Sequence, residues 1–143
     1  STAAQPTFTY TQSGTFTDDE SSWAVRSANY REWLAEEGSF ALLARDGADL
    51  VGYAMVKVSP GPASERDAWE VPETVAELMT LVVSAGRRGE GVGGRLLDEM
   101  DAELERLGID EVFVGLIPGN DGAQRLYESR GFKGRWLTLV RSR

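Results

Sequence analysis

Apolar positions along the chain change period several times, and each change marks an element. Residues 6–11 alternate around Phe8 and Tyr10, which predicts a short first strand. Thr17, Asp18, Asp19 and Glu20 then read as a helix start, a capping residue followed by acids in the first turn. Trp23, Tyr30, Trp33 and Leu34 recur at helical spacing, so one or two amphipathic helices are expected, ending near Gly38. Two apolar runs, residues 40–45 and 50–58, flank Asp46-Gly47-Ala48-Asp49, a hairpin signal. Residues 59–74, punctuated by Pro60, Gly61, Pro62 and Pro72, form a loop longer than most connectors. A strand is expected over 76–84 and a helix over 95–107, with Leu96, Leu97, Met100, Leu104 and Leu107 on one stripe and Gly108 as its stop. A strand at 112–117, a helix at 123–130 closed by Gly131, and a final strand at 136–140 complete the pattern. A strand, a crossover helix and another strand make a right-handed unit with the two strands parallel. The chain is therefore expected to be a single α/β domain over residues 1–143, without repeat or linker.

Composition narrows the chemistry. At 143 residues and 41% hydrophobic content the chain can bury a core without staples. It contains no cysteine and no histidine, which removes disulfides, thiol nucleophiles, thiolate or imidazole metal sites, and any serine mechanism that relies on a histidine base. No metal is expected. The formal charge of −8 and the lack of basic tracts argue against nucleic-acid or anionic-membrane partners and suit cationic ones such as amines. No apolar run approaches the roughly 18 residues of a membrane span, and residues 1–17 lack the pattern of a signal peptide, so a cytoplasmic protein is expected. The chain begins with Ser, as a processed or trimmed protein would, and a homodimer is compatible with this composition.

Between Leu81-Val82-Val83 and the helix lies Ser84-Ala85-Gly86-Arg87-Arg88-Gly89-Glu90-Gly91-Val92-Gly93-Gly94. Strand, glycine loop and helix in that order make an anion site, because glycines let the backbone approach closely and the helix start offers unpaired N–H groups. A dinucleotide loop also fits Gly89, Gly91 and Gly94. It would need an acid at the end of the next strand, where Pro118-Gly119-Asn120 stands instead, and only about 50 residues remain after the loop, too few for the other units of such a domain. A phosphate loop of the Gly-Lys-Ser/Thr kind is absent. A third reading is a turn that binds nothing. Arg88, Gly91 and Gly93 spell Arg-x-x-Gly-x-Gly, which resembles the acetyl-CoA pyrophosphate loop of the GNAT family of N-acetyltransferases. Asn120, Ala123, Tyr127, Gly131 and Phe132 fall in register with that family's Asn-x-x-Ala-x-x-x-Tyr-x-x-x-Gly-Phe. The resemblance covers roughly residues 40–141. It implies a mixed, mostly antiparallel sheet flanked by helices, with a parallel strand pair that splays apart to admit acetyl-CoA as acetyl donor. The usual final hairpin must fit in the dozen residues after Gly131, as one long strand or a tight pair.

Acetyl transfer from a thioester to an amine needs a neutral nitrogen, a stabilised oxyanion and a proton for the departing thiolate. A lysine amine is neutral about once in 2,500 molecules at pH 7, an α-amine in more than roughly a tenth, so a base matters most for lysine-like acceptors. The resemblance points to Glu77 as that base, against a solvated strand-edge carboxylate; Glu70 and Glu73 are the alternatives. It also makes Tyr127 the acid that faces the cofactor sulfur, against a tyrosine packed with Leu126. The backbones of Leu81, Val82 and Val83 would pair with the pantetheine amides, while Arg88, Gly89, Glu90, Gly91, Val92, Gly93 and Gly94 would hold the pyrophosphate. Asn120 either bonds the pantetheine arm or caps the last helix. Asp18, Asp19 and Glu20 lie where the family places its acceptor pocket, and Trp69 lines that pocket or sits in the core. The acceptor expected is a primary amine of a small molecule or a peptide; a non-catalytic acyl-CoA-binding regulator is the alternative outside enzymes.

Overall fold

The hairpin signal resolves as β1 (Phe40–Asp46) and β2 (Asp49–Pro60), with Asp46 opposite Asp49 and Gly47 at φ +60° in the two-residue turn. The computed structural model describes residues 15–143, so the strand expected at 6–11 lies outside the described residues. Helix α1 (Asp19–Leu34) precedes the hairpin; β3 (Thr74–Val83), α2 (Val92–Leu107), β4 (Val112–Val114) and α3 (Asp121–Ser129) come after it, with short 3-10 turns at Ala63–Glu65 and Ala85–Arg87. The chain divides into two compact units, Asp18–Gly115 and one that contains Leu116–Arg143.

Among the described residues the sheet lies in the first unit, in the order β1-β2-β3-β4, antiparallel except for the parallel β3–β4 pair. Helix α2 covers one face. Its apolar stripe buries Val92, Leu96, Leu97, Met100 and Leu104, and Val92 and Leu96 pack with Val51, Leu42, Ala44, Leu81 and Val83 of the sheet. Leu97 and Met100, each 1% exposed, contribute about 1.5–3 kcal/mol apiece. The close seat of the helix depends on Gly52, where an added Cβ would lie 2.8 Å from the Val82 carbonyl and 3.0 Å from Val92 Cγ1. Gly108 stops the helix in a left-handed conformation, φ +72°, as its position predicts.

Four expectations need correction. Helix α2 begins at Val92, not at 95, because Gly91 already takes the left-handed turn that ends the loop, and Gly93 and Gly94 are helical. Helix α1 is one helix and buries none of its residues; Trp23 is 56% exposed, so its aromatic spacing does not make a core stripe. Strand β4 ends at Val114 rather than 117, where Gly115 offers no side chain to pack and Ile117-Pro118-Gly119-Asn120 turns back, Asn120 N–H donating to the Ile117 carbonyl at 3.2 Å. Residues 132–143 form no strand, and Trp136, Leu137, Leu139 and Val140 stay exposed. Their apolar side chains fall on both sides of an extended chain, so one covered face could not bury them. Among the described residues no helix is long and apolar enough to cross a membrane.

Candidate functional site

The parallel pair parts where the resemblance implies. Strands β3 and β4 pair only at Ala76 with Val112, Glu77 with Phe113 and Leu78 with Val114, while β3 runs on to Val83. Met79, the next residue, has no partner on β2, since Met55 faces Thr80 and Val56 faces Leu78. Such a bulge bends the strand and re-aims the residues beyond it. Leu81, Val82 and Val83 thus form the stretch of β3 past the last β4 pair; Leu81 and Val83 turn their side chains toward α2.

Beyond Val83 the chain makes a tight cradle. Ser84 N–H donates to the Val51 carbonyl at 2.9 Å and Arg87 N–H to the Ser84 carbonyl at 2.9 Å. Gly89 and Gly91 then take φ of +83° and +82°, values that only glycine adopts without strain. The N–H groups of Arg88, Gly89, Gly91, Val92 and Gly93 have no hydrogen-bond partner among the described residues, and Arg95 N–H donates to the Gly91 carbonyl at 3.1 Å as the helix begins. Unpaired amides in alternating handedness at the positive end of a helix form an anion nest. Arg88 is exposed and makes no ion pair among the described residues, which leaves its guanidinium available to the same anion. Arg87 is committed elsewhere: it donates to Asp46 at 2.7 Å and lies 3.8 Å from Glu90, and the Asp46 carboxylate raises its pKa above the usual guanidinium value. Asp46 and Arg87 stand far apart in sequence, so no local pattern foretells this pair.

On the face of the sheet away from α2, Glu77 is exposed and stands across the ladder from Lys57. Lys57 in turn lies 3.9 Å from Glu36 and 5.9 Å from the Trp33 ring centroid. Helix α1 meets this face through Tyr30, whose hydroxyl is 2.7 Å from Thr80 Oγ1 and whose ring packs edge-on against Tyr53 at 6.3 Å. Burial raises the Tyr30 pKa. The sequence marked Tyr30 as a helical aromatic but held no sign of the Thr80 hydroxyl that receives it.

Other candidates divide. Asp18 caps α1, its carboxylate accepting from Ser21 N–H at 2.9 Å, and that bond lowers its pKa. Asp19, Glu20, Glu70 and Glu73 are exposed, and Trp69 at 40% exposure is not a core residue. In the second unit Asn120 caps α3, its side-chain oxygen accepting from Ala123 N–H at 3.3 Å. Tyr127, on the same helix, is buried, packs its ring against Phe132 at 5.5 Å, and makes no side-chain hydrogen bond with a described residue. Desolvation raises its pKa, which keeps the phenol protonated throughout the neutral range. Among the described residues no group of acids could hold a metal ion.

Comparison with known proteins accords with this geometry. The chain is 35% identical over 117 residues to a mycothiol acetyltransferase of Geodermatophilus obscurus, covering 80% of this chain and 35% of that one. It is 30% identical over 125 residues to a mycothiol acetyltransferase of Thermobispora bispora, covering 85% and 39%. The chain thus spans little more than a third of the length of these two relatives. Among solved structures, an aminoglycoside N-acetyltransferase AAC(6')-Iy in complex with CoA shares the fold at a TM-score of 0.67 and 18% identity, covering 87% of this chain and 90% of that one. The model of the acetyltransferase (GNAT) family matches residues 6–132, through both the glycine cradle and the motif that closes on Phe132. The chain belongs to the GNAT acetyltransferase family.

Proposed function

We propose that this chain moves an acetyl group from acetyl-CoA directly to a primary amine, and that residues 1–143 work as one acetyltransferase domain. The observation that carries the reading is the cradle of unpaired amides at Arg88, Gly89, Gly91, Val92 and Gly93, placed at the end of a strand whose parallel partner has already parted from it. A diphosphate satisfies that cradle, with Glu90 and Gly94 completing the loop. The pantetheine arm extends the sheet by pairing with the backbones of Leu81, Val82 and Val83, whereas the cap on α3 favours the structural reading of Asn120. No metal takes part.

In the reaction the amine nitrogen attacks the thioester carbonyl carbon, the C–S bond breaks, and the nitrogen gives up one proton while the sulfur gains one. Glu77 receives the first proton, its exposed carboxylate reachable from solvent on the face that Tyr30 and Thr80 share. Tyr127 supplies the second, which the burial of its phenol supports by holding the proton at neutral pH. Both substrates are bound together, since the chain has no cysteine to carry the acetyl group. Positioning two reactants in one complex removes much of the entropic barrier.

Relatives named mycothiol acetyltransferase and a fold neighbour named aminoglycoside N-acetyltransferase favour a small polar amine over a peptide as acceptor. An amine panel that includes aminoglycosides and lysine-terminated peptides, read by release of free thiol from acetyl-CoA, tests this. Turnover of small amines above peptides supports the reading; peptides turned over faster transfer it to the protein-acetylating alternative. Acetyl-CoA binding with no turnover on any amine leaves the regulator.

A further inference from the structure

Two arginines stand side by side at the mouth of the cradle, and the structure separates their tasks. Arg88 is exposed and uncommitted, whereas Arg87 is only 35% exposed in its side chain and bridges Asp46 of the hairpin turn to Glu90 inside the loop. Glu90 presents the difficulty that Arg87 addresses. Its N–H donates to the Arg87 carbonyl at 3.4 Å and its carboxylate lies 3.8 Å from the Arg87 guanidinium, in the same short loop as the unpaired amides. A carboxylate in the same loop as a diphosphate repels it, and Asp46 adds a second negative charge across the turn.

We propose that Arg87 is a positioning residue of the donor loop: it draws the Glu90 and Asp46 carboxylates onto its own guanidinium and so keeps their charge off the bound diphosphate, without contacting the phosphates itself. This rests on the proposed function. The ion pairs are solvent-exposed and add little to folding, so the effect belongs to ligand affinity rather than stability. Arg87 thereby differs from Arg88, whose loss removes an attraction instead of releasing a repulsion.

Calorimetric titration of acetyl-CoA into the whole chain, at low and high salt, tests this without any need for the acceptor. Arg87→Gln should weaken acetyl-CoA about tenfold at low salt, and the deficit should shrink at high salt as the exposed carboxylates are screened. Adding Asp46→Asn and Glu90→Gln to Arg87→Gln should restore affinity to within about threefold of the parent, because the repelling charges are then gone. Arg87→Lys, which keeps the charge, is the control and should stay within about threefold of the parent; Arg87→Met, which removes the charge while keeping the aliphatic stem, should weaken acetyl-CoA as Arg87→Gln does. Unchanged affinity in Arg87→Gln overturns the proposal. So does a triple variant that stays as weak as Arg87→Gln, since Arg87 would then be a direct phosphate ligand. A parent chain that does not bind acetyl-CoA at all refutes the proposed function instead, and is distinguished by the first titration.

Discussion

At the scale of single residues, the proposal separates Glu77 from Tyr127 by their response to pH. Glu77→Gln removes the acceptor's proton sink, so turnover should fall most at low pH, where amines are protonated, and recover in part toward pH about 9 as the neutral amine fraction rises. A kcat/KM profile that is the same as the parent's from about pH 6 to 9 places the base elsewhere, with Glu70 or Glu73 next. Tyr127→Phe should lower kcat roughly a hundredfold across the same range with little change in acetyl-CoA affinity. Because burial raises the Tyr127 pKa above 10.0, the phenol stays protonated below that value, and the parent's loss of acid function should begin only above it. The sign for stability is the same: the unfolded phenol ionises first, so any stability that Tyr127 contributes is present below pH 10.0 and is lost as pH rises through the higher folded value. An alkaline limb in kcat that sets in near neutrality rules Tyr127 out as the acid.

At the scale of elements, the glycines divide into those that shape the cradle and those that let elements meet. Gly89 and Gly91 need their left-handed φ, and a Cβ at either would meet no atom within 4 Å, so substitution there strains the loop rather than crowding it. Gly52 is the opposite case. Gly52→Ala should destabilise the fold by about 1–3 kcal/mol in denaturant melts, since its Cβ would strike the Val82 carbonyl and the α2 side chains, and a loss below a few tenths would contradict that packing. Much of this level was legible in the sequence: the Asp46–Asp49 hairpin, the α2 stripe, the Gly108 stop and the glycine loop all arise from local pattern. What the sequence concealed depends on contacts between distant segments. The bulge at Met79 is invisible within an apolar run, the Arg87–Asp46 pair joins residues of different elements, and Tyr30 meets Thr80 only because α1 lies over β3. The failed strand at 136–140 shows the converse, since apolar content alone provides neither a ladder partner nor a single face to cover.

For the chain as a whole, the proposed direct transfer draws on a sequence without cysteine or histidine, and the proposed amine acceptor on its formal charge of −8. Initial rates against amine at several fixed acetyl-CoA concentrations should give intersecting lines, and labelled acetyl-CoA alone should leave no label on the protein; parallel lines with stoichiometric labelling would instead require an acyl-enzyme. Both expectations depend on the cradle at Arg88–Gly94 receiving the diphosphate of an acyl-CoA. The most direct test is thermal unfolding of the whole chain with acetyl-CoA, NAD, NADP or ATP. At a hundredfold excess over Kd, acetyl-CoA should stabilise the fold by about 2.7 kcal/mol and raise Tm by several degrees, while the other three leave it unchanged. Stabilisation by NAD and none by acetyl-CoA would contradict the assignment.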